Sequence, residues 1–145
     1  MGNMNDKAAI PTQLLYTMLR VSDLERSVAF YRKALGMNEL RRENFTEGRF
    51  TLVFIGYDNE VSASSIELTW NWDTDNYDHG TAYGHIALQV NDIYAACTRL
   101  DHMGVSIIRK PGPMTYPVDE TGHREEIAFI KDPDGYLIEL IQTTD

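Results

Sequence analysis

Short apolar runs and one helical stretch make up the first half of the chain. Residues 14–21 form an apolar run typical of a buried strand, and apolar residues then recur at helical spacing from position 24 to 35. Ser22 and Glu25 have the spacing of a capping box, which predicts where the helix begins, and Gly36 predicts its left-handed end. Turn-forming residues separate three further apolar runs, which predict strands at 37–43, 49–56 and 64–70.

The second half of the chain repeats this order. Residues 16–23 (YTMLRVSD) align without a gap with residues 85–92 (HIALQVND) at an offset of 69 positions, and residues 66–69 (IELT) correspond to residues 138–141 (IELI). A repeat of this length indicates a duplicated structural unit. We therefore predict an α+β fold of two βαβββ modules. The predicted segments are a flexible leader at 1–13, a first module at 14–72, a linker at 73–82 and a second module at 83–145.

Within the second module, the pattern predicts strands at 84–90, 105–109, 125–131 and 136–142, with a helix over 93–103 capped by Asn91 or Asp92. Residues 110–124 are rich in proline, glycine and polar side chains and predict a mobile loop. A loop of this length inside a compact domain often has a function.

Bulk composition excludes several classes of partner. A formal net charge of −9 and a pI near 4.8 argue against binding to nucleic acid or to an anionic membrane surface, which need a basic face. No apolar run approaches the roughly 18 residues that a membrane-spanning helix needs. The polar beginning of the chain has no apolar signal core, so we expect a cytoplasmic protein. Cys97 is the only cysteine, which rules out a disulfide within the chain.

Two glutamates occupy the centres of predicted strands, at matching positions of the repeat. Glu67 and Glu139 each lie between apolar neighbours, so each side chain points to the opposite face of its strand. A carboxylate is disfavoured in mid-strand, which suggests that each has a charged partner on a shared concave face. His85 heads a strand of the second module. Two carboxylates and an imidazole form a nitrogen and oxygen donor set suited to Ni, Co, Zn, Fe or Mn.

Five stretches of the sequence together are specific: residues 14–21 (LLYTMLRV), 27–37 (SVAFYRKALGM), 66–72 (IELTWNW), 82–88 (AYGHIAL) and 132–140 (DPDGYLIEL). In these stretches the chain resembles the glyoxalase I (lactoylglutathione lyase) family of the vicinal oxygen chelate superfamily. The resemblance implies the glyoxalase/bleomycin-resistance-like fold and a homodimer whose active sites each draw ligands from both chains. It also implies isomerisation of the hemithioacetal of methylglyoxal and glutathione to S-lactoylglutathione.

The same resemblance implies roles for individual residues. Glu67, His85 and Glu139 match metal ligands of the family, Glu139 also matches its catalytic base, and Glu67 is the second catalytic carboxylate. Arg20 and Asn71 match residues that bind the γ-glutamyl end of glutathione, and Arg109 falls where a basic residue binds the glycyl carboxylate. The implied cofactor is one divalent ion for each site, Ni²⁺ or Co²⁺ in preference, with Zn²⁺ as the alternative.

Tyr16 departs from the family pattern, which places His or sometimes Gln at this position as the fourth protein ligand. A phenol has an unperturbed pKa of about 10 and binds a divalent ion poorly unless it is ionised. Tyr16 could ligate as a phenolate, give way to water, or impair the site. Two alternatives to an isomerase therefore stay open. One is a ligand-binding protein of the same fold, and the other is a different chelate-type metalloenzyme such as a dioxygenase.

Overall fold

The computed structural model describes residues 7–59 and 64–143, and it contains two modules of the same design. In chain order the elements are β1 Tyr16–Arg20, α1 Leu24–Ala29, a π-helical turn Phe30–Ala34, β2 Asn38–Phe45, β3 Phe50–Gly56, β4 Ser65–Asn71, β5 Ile86–Val90, α2 Ile93–His102, β6 Ile107–Pro113, β7 Glu126–Lys131 and β8 Leu137–Gln142.

Each module folds into one four-stranded mixed sheet. The strand orders are β1-β4-β3-β2 and β5-β8-β7-β6, so the first strand of each module lies at an edge and pairs in parallel with the last. The remaining neighbours pair in antiparallel fashion. The predicted α+β fold of paired βαβββ modules is confirmed.

The first helix begins one residue later than the capping box predicted. Asp23, not Ser22, is the N-cap, and its carboxylate accepts a hydrogen bond from the Arg26 amide. Ser22 is engaged elsewhere, since its amide and its hydroxyl both donate to Oδ1 of Asp134 in the second module. In α2 the cap is Asp92, one of the two predicted candidates. Gly36 has a φ of 73°, as the predicted left-handed end requires.

The two modules share one apolar core and are joined by buried polar contacts. Apolar residues from both helices and from the inner faces of both sheets form a single cluster. The Tyr31 hydroxyl donates to Oδ2 of Asp132 at 2.7 Å, and the Tyr136 hydroxyl donates to the Arg20 carbonyl at 2.7 Å. Burial raises the Tyr31 pKa, and the carboxylate of Asp132 raises it further, so the phenol stays protonated. These bonds fix how the two sheets are placed within one chain.

The long loop of the second module is shorter than predicted. Strand β6 runs to Pro113, so four of the residues assigned to the loop at 110–124 belong to a strand. Pro111 and Pro113 are tolerated there because β6 is an edge strand, where a missing N–H need not break the ladder. The predicted leader at 1–13 lies partly outside the described residues, and its residues 7–13 are exposed. No helix in the described ranges is long and apolar enough to cross a membrane.

Candidate metal and substrate site

The two mid-strand glutamates occupy equivalent places in the two sheets. Glu67 on β4 is the register partner of Phe54 on β3, and Glu139 on β8 is the register partner of Phe129 on β7. Residues directly opposite each other on neighbouring strands point to the same face. Each carboxylate therefore shares the face of its sheet with an aromatic ring, on the side away from the apolar neighbours of the glutamate.

The first strand of each module adds a ring to this face. Tyr16 meets Phe54 edge-to-face with ring centroids 5.0 Å apart, and His85 meets Phe129 in the same way at 5.1 Å. We call Tyr16, Phe54 and Glu67 the tyrosine half-site, and His85, Phe129 and Glu139 the histidine half-site. The two copies of the sequence repeat therefore have equivalent arrangements in the structure. Tyr16 lies at the position that His85 occupies in the other sheet.

The histidine half-site holds two metal-ligand types side by side. Nε2 of His85 lies 3.2 Å from Oε1 of Glu139, and the glutamate side chain is only 14% exposed. The His85 side chain is 40% exposed, so the imidazole is accessible. An imidazole nitrogen and a carboxylate oxygen are donor types that divalent ions such as Ni²⁺, Co²⁺ and Zn²⁺ accept, and here they lie side by side.

The carboxylate of the tyrosine half-site, Glu67, has no side chain paired with it among the described residues. Glu67 is 8% exposed, and its side chain makes no hydrogen bond or ion pair within the described ranges. Withdrawal from water raises its pKa, Glu43 raises it further, and Arg41 opposes both effects. A buried carboxylate in this position gains most from a cation. The donor types of Glu67, His85 and Glu139 are ones that divalent ions accept.

A single chain does not bring the two half-sites together. No group of three His, Cys, Asp or Glu side chains could hold a metal ion within the part of the chain that the structure describes. Glu67 belongs to the first sheet, whereas His85 and Glu139 belong to the second. The sequence predicted that these residues converge, and within one chain only His85 and Glu139 do.

Arg20 and Asn71 lie on the same face as Glu67. Arg20 ends β1 and is the register partner of Thr69, and Asn71 ends β4, two positions beyond Thr69. The Arg20 side chain makes no hydrogen bond or ion pair among the described residues, while the Asn71 amide nitrogen donates to the Tyr77 hydroxyl at 3.1 Å. A guanidinium with no partner and an amide oxygen are therefore available near the tyrosine half-site.

Arg109 has a different environment from the one its predicted role requires. Its guanidinium donates to the carbonyl oxygens of Lys110, Gly112, Pro113 and Ile127, at distances from 2.6 to 3.3 Å. Those bonds use both terminal nitrogens to hold the edge of β6. The sequence did not reveal these partners, because three of them are backbone groups of residues that were predicted as a loop, and the fourth is reached only when β6 pairs with β7.

Arg41 occupies the equivalent place in the first sheet and was missed. It pairs in register with Phe54, as Arg109 pairs with Phe129, and its guanidinium lies 4.5 Å from the centroid of the Phe54 ring. It also makes an ion pair with Glu43 at 3.4 Å, with half of its side chain exposed. Its place depends on the register between β2 and β3, which shifts between Glu39 and Arg41 and which strand alternation alone does not give.

The chain is similar to known proteins over most of its length. The model of the Glyoxalase/Bleomycin resistance protein/Dioxygenase superfamily matches residues 13–140. A lactoylglutathione lyase of Neisseria meningitidis is 52% identical over 130 residues, which is 90% of each chain. The trypanothione-dependent glyoxalase I of Leishmania major is 41% identical, with a TM-score of 0.76 and coverage of 91% of this chain and 87% of that one. Glyoxalase I of Zea mays is 38% identical with a TM-score of 0.81, and this chain, covered to 92%, spans only 45% of the maize chain.

Proposed function

Because the chain belongs to the Glyoxalase/Bleomycin resistance protein/Dioxygenase superfamily, we propose that it is a lactoylglutathione lyase that isomerises the hemithioacetal of methylglyoxal and glutathione. Relatives at 47–52% identity over about nine-tenths of the chain carry that name. The observation in the structure that supports the proposal is the pair of equivalent half-sites, each with a carboxylate in mid-strand beside two rings on one face of its sheet.

Glu139 is the catalytic base in this proposal. Its carboxylate lies beside His85 and is largely enclosed, so it can take the proton from the carbon that bears sulfur without competing water. The proton then returns to the neighbouring carbon, and the product is S-lactoylglutathione, with no net gain or loss of atoms. Glu67 is the second carboxylate, and Phe54 and Phe129 shield the two carboxylates from water.

Glu67, His85 and Glu139 would hold the metal. A divalent ion there supplies a Lewis acid for two adjacent oxygens of the substrate. Nitrogen and carboxylate donors with one imidazole favour Ni²⁺ or Co²⁺, and Zn²⁺ is the alternative. Tyr16 adds no strong ligand in this proposal, since its ring packs against Phe54 and its hydroxyl makes no hydrogen bond among the described residues.

Glutathione binds through Arg20 and Asn71. The free guanidinium of Arg20 offers a fork for the α-carboxylate of the γ-glutamyl group, and Asn71 offers its amide oxygen. Arg109 was predicted to bind the glycyl carboxylate. Its terminal nitrogens already bond backbone carbonyls, so in that role it would have to use its remaining donor or exchange partners.

The complete site is formed between two copies of the chain. In this proposal the tyrosine half-site of one copy faces the histidine half-site of the other. The position of β1 and β5 at the edges of their sheets supports it, because an edge strand is available to a second chain. Tyr16 and Met18 on the edge strand are 40% and 39% exposed, which is the apolar surface such an interface would cover. One maize chain is about twice the length matched here, which suits a site built from two such units.

A second candidate is a ligand-binding protein of the same fold. Tyr16 favours it, because the tyrosine half-site then contributes only one carboxylate to a metal. Two measurements on the purified protein separate the candidates: the metal content for each chain, and the absorbance of S-lactoylglutathione formed from the hemithioacetal. An isomerase gives one metal ion for each site and turnover that chelation removes. If the protein shows no turnover after loading with Ni²⁺, Co²⁺ and Zn²⁺ in turn, the assignment as an isomerase is refuted.

A further inference from the structure

The first sheet carries a cation, Arg41, beside the tyrosine half-site. Arg41 on β2 is the register partner of Phe54 on β3, and Phe54 is the register partner of Glu67 on β4. Residues directly opposite each other on neighbouring strands point to the same face, so Arg41 and Glu67 share a face with the Phe54 ring between them. Burial raises the pKa of Glu67 and the charge of Arg41 opposes that rise, which places the guanidinium within electrostatic range of the carboxylate.

The guanidinium of Arg41 is held in place but keeps its capacity to form hydrogen bonds. Its central carbon lies 4.5 Å from the centroid of the Phe54 ring, which is a cation–π distance. Within the described ranges its one ion pair joins Nε to Oε1 of Glu43 at 3.4 Å, and it makes no hydrogen bond. The two side chains of that pair are 50% and 41% exposed, so the pair contributes little to stability. The N–H donors of Arg41 are therefore open to a ligand.

Two comparable arginines have their donors occupied. Arg109 has the equivalent place in the second sheet, but its guanidinium donates to four backbone carbonyl oxygens. Arg42, the next residue on β2, donates to the carboxylates of Glu25 and Glu39. Arg41 has neither kind of partner and lies on the face that carries the tyrosine half-site. A guanidinium in this state binds an anion well, because it offers two parallel donors to a carboxylate.

The position of Arg41 decides which part of the substrate it meets. The proposed function puts the γ-glutamyl group at Arg20 and Asn71, which end β1 and β4. The strand order is β1-β4-β3-β2, so Arg41 lies two strands beyond Glu67 on the side away from β1, about 10 Å across the sheet. In the hemithioacetal both ends of glutathione lie on the sulfur side of the reacting carbon, and the substituent of the 2-oxoaldehyde lies on the other side. With the reacting carbon at Glu67, Arg41 is on the side of the aldehyde substituent.

We propose that Arg41 binds an anionic group on the aldehyde-derived part of the substrate, so that the protein also isomerises hemithioacetals of 2-oxoaldehydes that carry a carboxylate. The guanidinium offers the planar fork that a carboxylate needs, and the Phe54 ring holds that fork in place. The reaction is the same isomerisation, with the same atoms in substrate and product and no added reactant. This inference rests on the proposed function and adds a substrate class to it.

Two aromatic 2-oxoaldehydes that differ by one charge test the inference. Phenylglyoxal and 4-carboxyphenylglyoxal are each converted to the glutathione hemithioacetal, and kcat/KM is measured for both with the metal-loaded protein. The quantity compared is the ratio of kcat/KM for the carboxylated substrate to kcat/KM for the phenylglyoxal substrate. We expect Arg41→Gln to lower this ratio about tenfold or more, because a hydrogen bond between two charged groups is lost. Arg41→Lys keeps the charge without the fork and should give an intermediate ratio.

Arg42 provides a matched control. It is the register partner of Val53, which is buried in the core, so its side chain points to the opposite face from that of Arg41. Arg42→Gln removes the same charge at the neighbouring position and should leave the ratio unchanged. Glu43→Gln removes the carboxylate that competes for Arg41 and should raise the ratio.

Each contrary result has its own meaning. An equal ratio in the parent and in Arg41→Gln overturns the inference, and it is the result expected if Arg41 binds the glycyl carboxylate, since both substrates then lose activity alike. A lower ratio in Glu43→Gln, or an equal fall in Arg42→Gln, also overturns it. If the parent converts the methylglyoxal hemithioacetal while the ratio does not depend on Arg41, the proposed function stands without this inference. A parent protein that converts none of the three hemithioacetals refutes both.

Discussion

Two inactive variants should regain activity when they are combined. Glu67 lies in the first sheet and Glu139 in the second, and no single chain brings them into one metal cluster within its described ranges. If each site takes Glu67 from one copy and Glu139 from the other, Glu67→Gln and Glu139→Gln homodimers lack one carboxylate in every site. A heterodimer of the two variants has one site with both carboxylates intact and one site with neither.

The size of the recovery follows from symmetry. Random exchange between the two variants makes about half of the dimers heterodimers, and half of the sites in those are complete. The mixture should therefore reach about a quarter of the parent activity for each chain, and a heterodimer isolated with two affinity tags about a half. The assay is S-lactoylglutathione formation after the two variants are refolded together with metal, with native mass spectrometry to count heterodimers.

A matched pair of variants controls for nonspecific rescue. His85→Ala and Glu139→Gln both alter the histidine half-site, which each site receives from one chain only. Their heterodimer has a defect in both sites and should stay inactive, even though exchange is equally complete. No recovery with the first pair, once heterodimers have been counted, would refute a site shared between chains and would require both half-sites to act within one chain.

Single variants at three residues test their individual roles. Glu139→Gln should lower turnover by about a hundredfold or more while the sedimentation coefficient stays unchanged, because a nearly isosteric amide cannot accept the proton; activity within a few-fold of the parent would contradict its role as base. Tyr16→His should raise both metal content and turnover, and Tyr16→Phe should leave metal content unchanged; a Tyr16→Phe protein that loses its metal would identify the phenolate as a ligand. In metal-free protein the raised pKa of Glu67 means that the folded state holds this proton to higher pH than the unfolded state, so the free energy of unfolding falls as pH rises through that window. Glu67→Gln should thus be more stable than the parent at pH 7 in chelator and urea, with a difference that disappears below the usual carboxyl range; a constant difference would count against burial as the cause.

Strand alternation and the internal repeat made most of the fold predictable. Glu67 and Glu139 stand out because a charged residue between two apolar ones in mid-strand must face away from the core, and the repeat gives both the same place. Local sequence also located both helices. It failed where distant groups intervene: Ser22 is bound by Asp134, 112 positions away, so Asp23 caps the helix instead.

Backbone geometry also explains what was missed in the site. Arg109 is a basic residue at the place where the family binds a carboxylate, but its guanidinium is surrounded by carbonyl oxygens that come together only when β6 forms and pairs with β7. Spacing did assign Glu67 to the first module and His85 and Glu139 to the second, but it could not show whether the two sheet faces meet in one chain. Equivalent positions in a repeat are related by pseudo-symmetry, which places them on similar faces and does not decide whether the two faces meet in one chain.

The two half-sites differ in a way that suggests a division of function after duplication. The histidine half-site has both an imidazole and a carboxylate, 3.2 Å apart, and its module has Gln89, Ile141 and Thr143 where the first module has Arg20, Thr69 and Asn71. The tyrosine half-site has one carboxylate, and Arg20 and Asn71 lie on the same face of its sheet as Glu67. Under the proposed function, the second module would supply two metal ligands, and the first module would supply one ligand together with the contacts to the γ-glutamyl group. Tyr16 would then cost the site one ligand, while Glu67, His85 and Glu139 would still hold the metal.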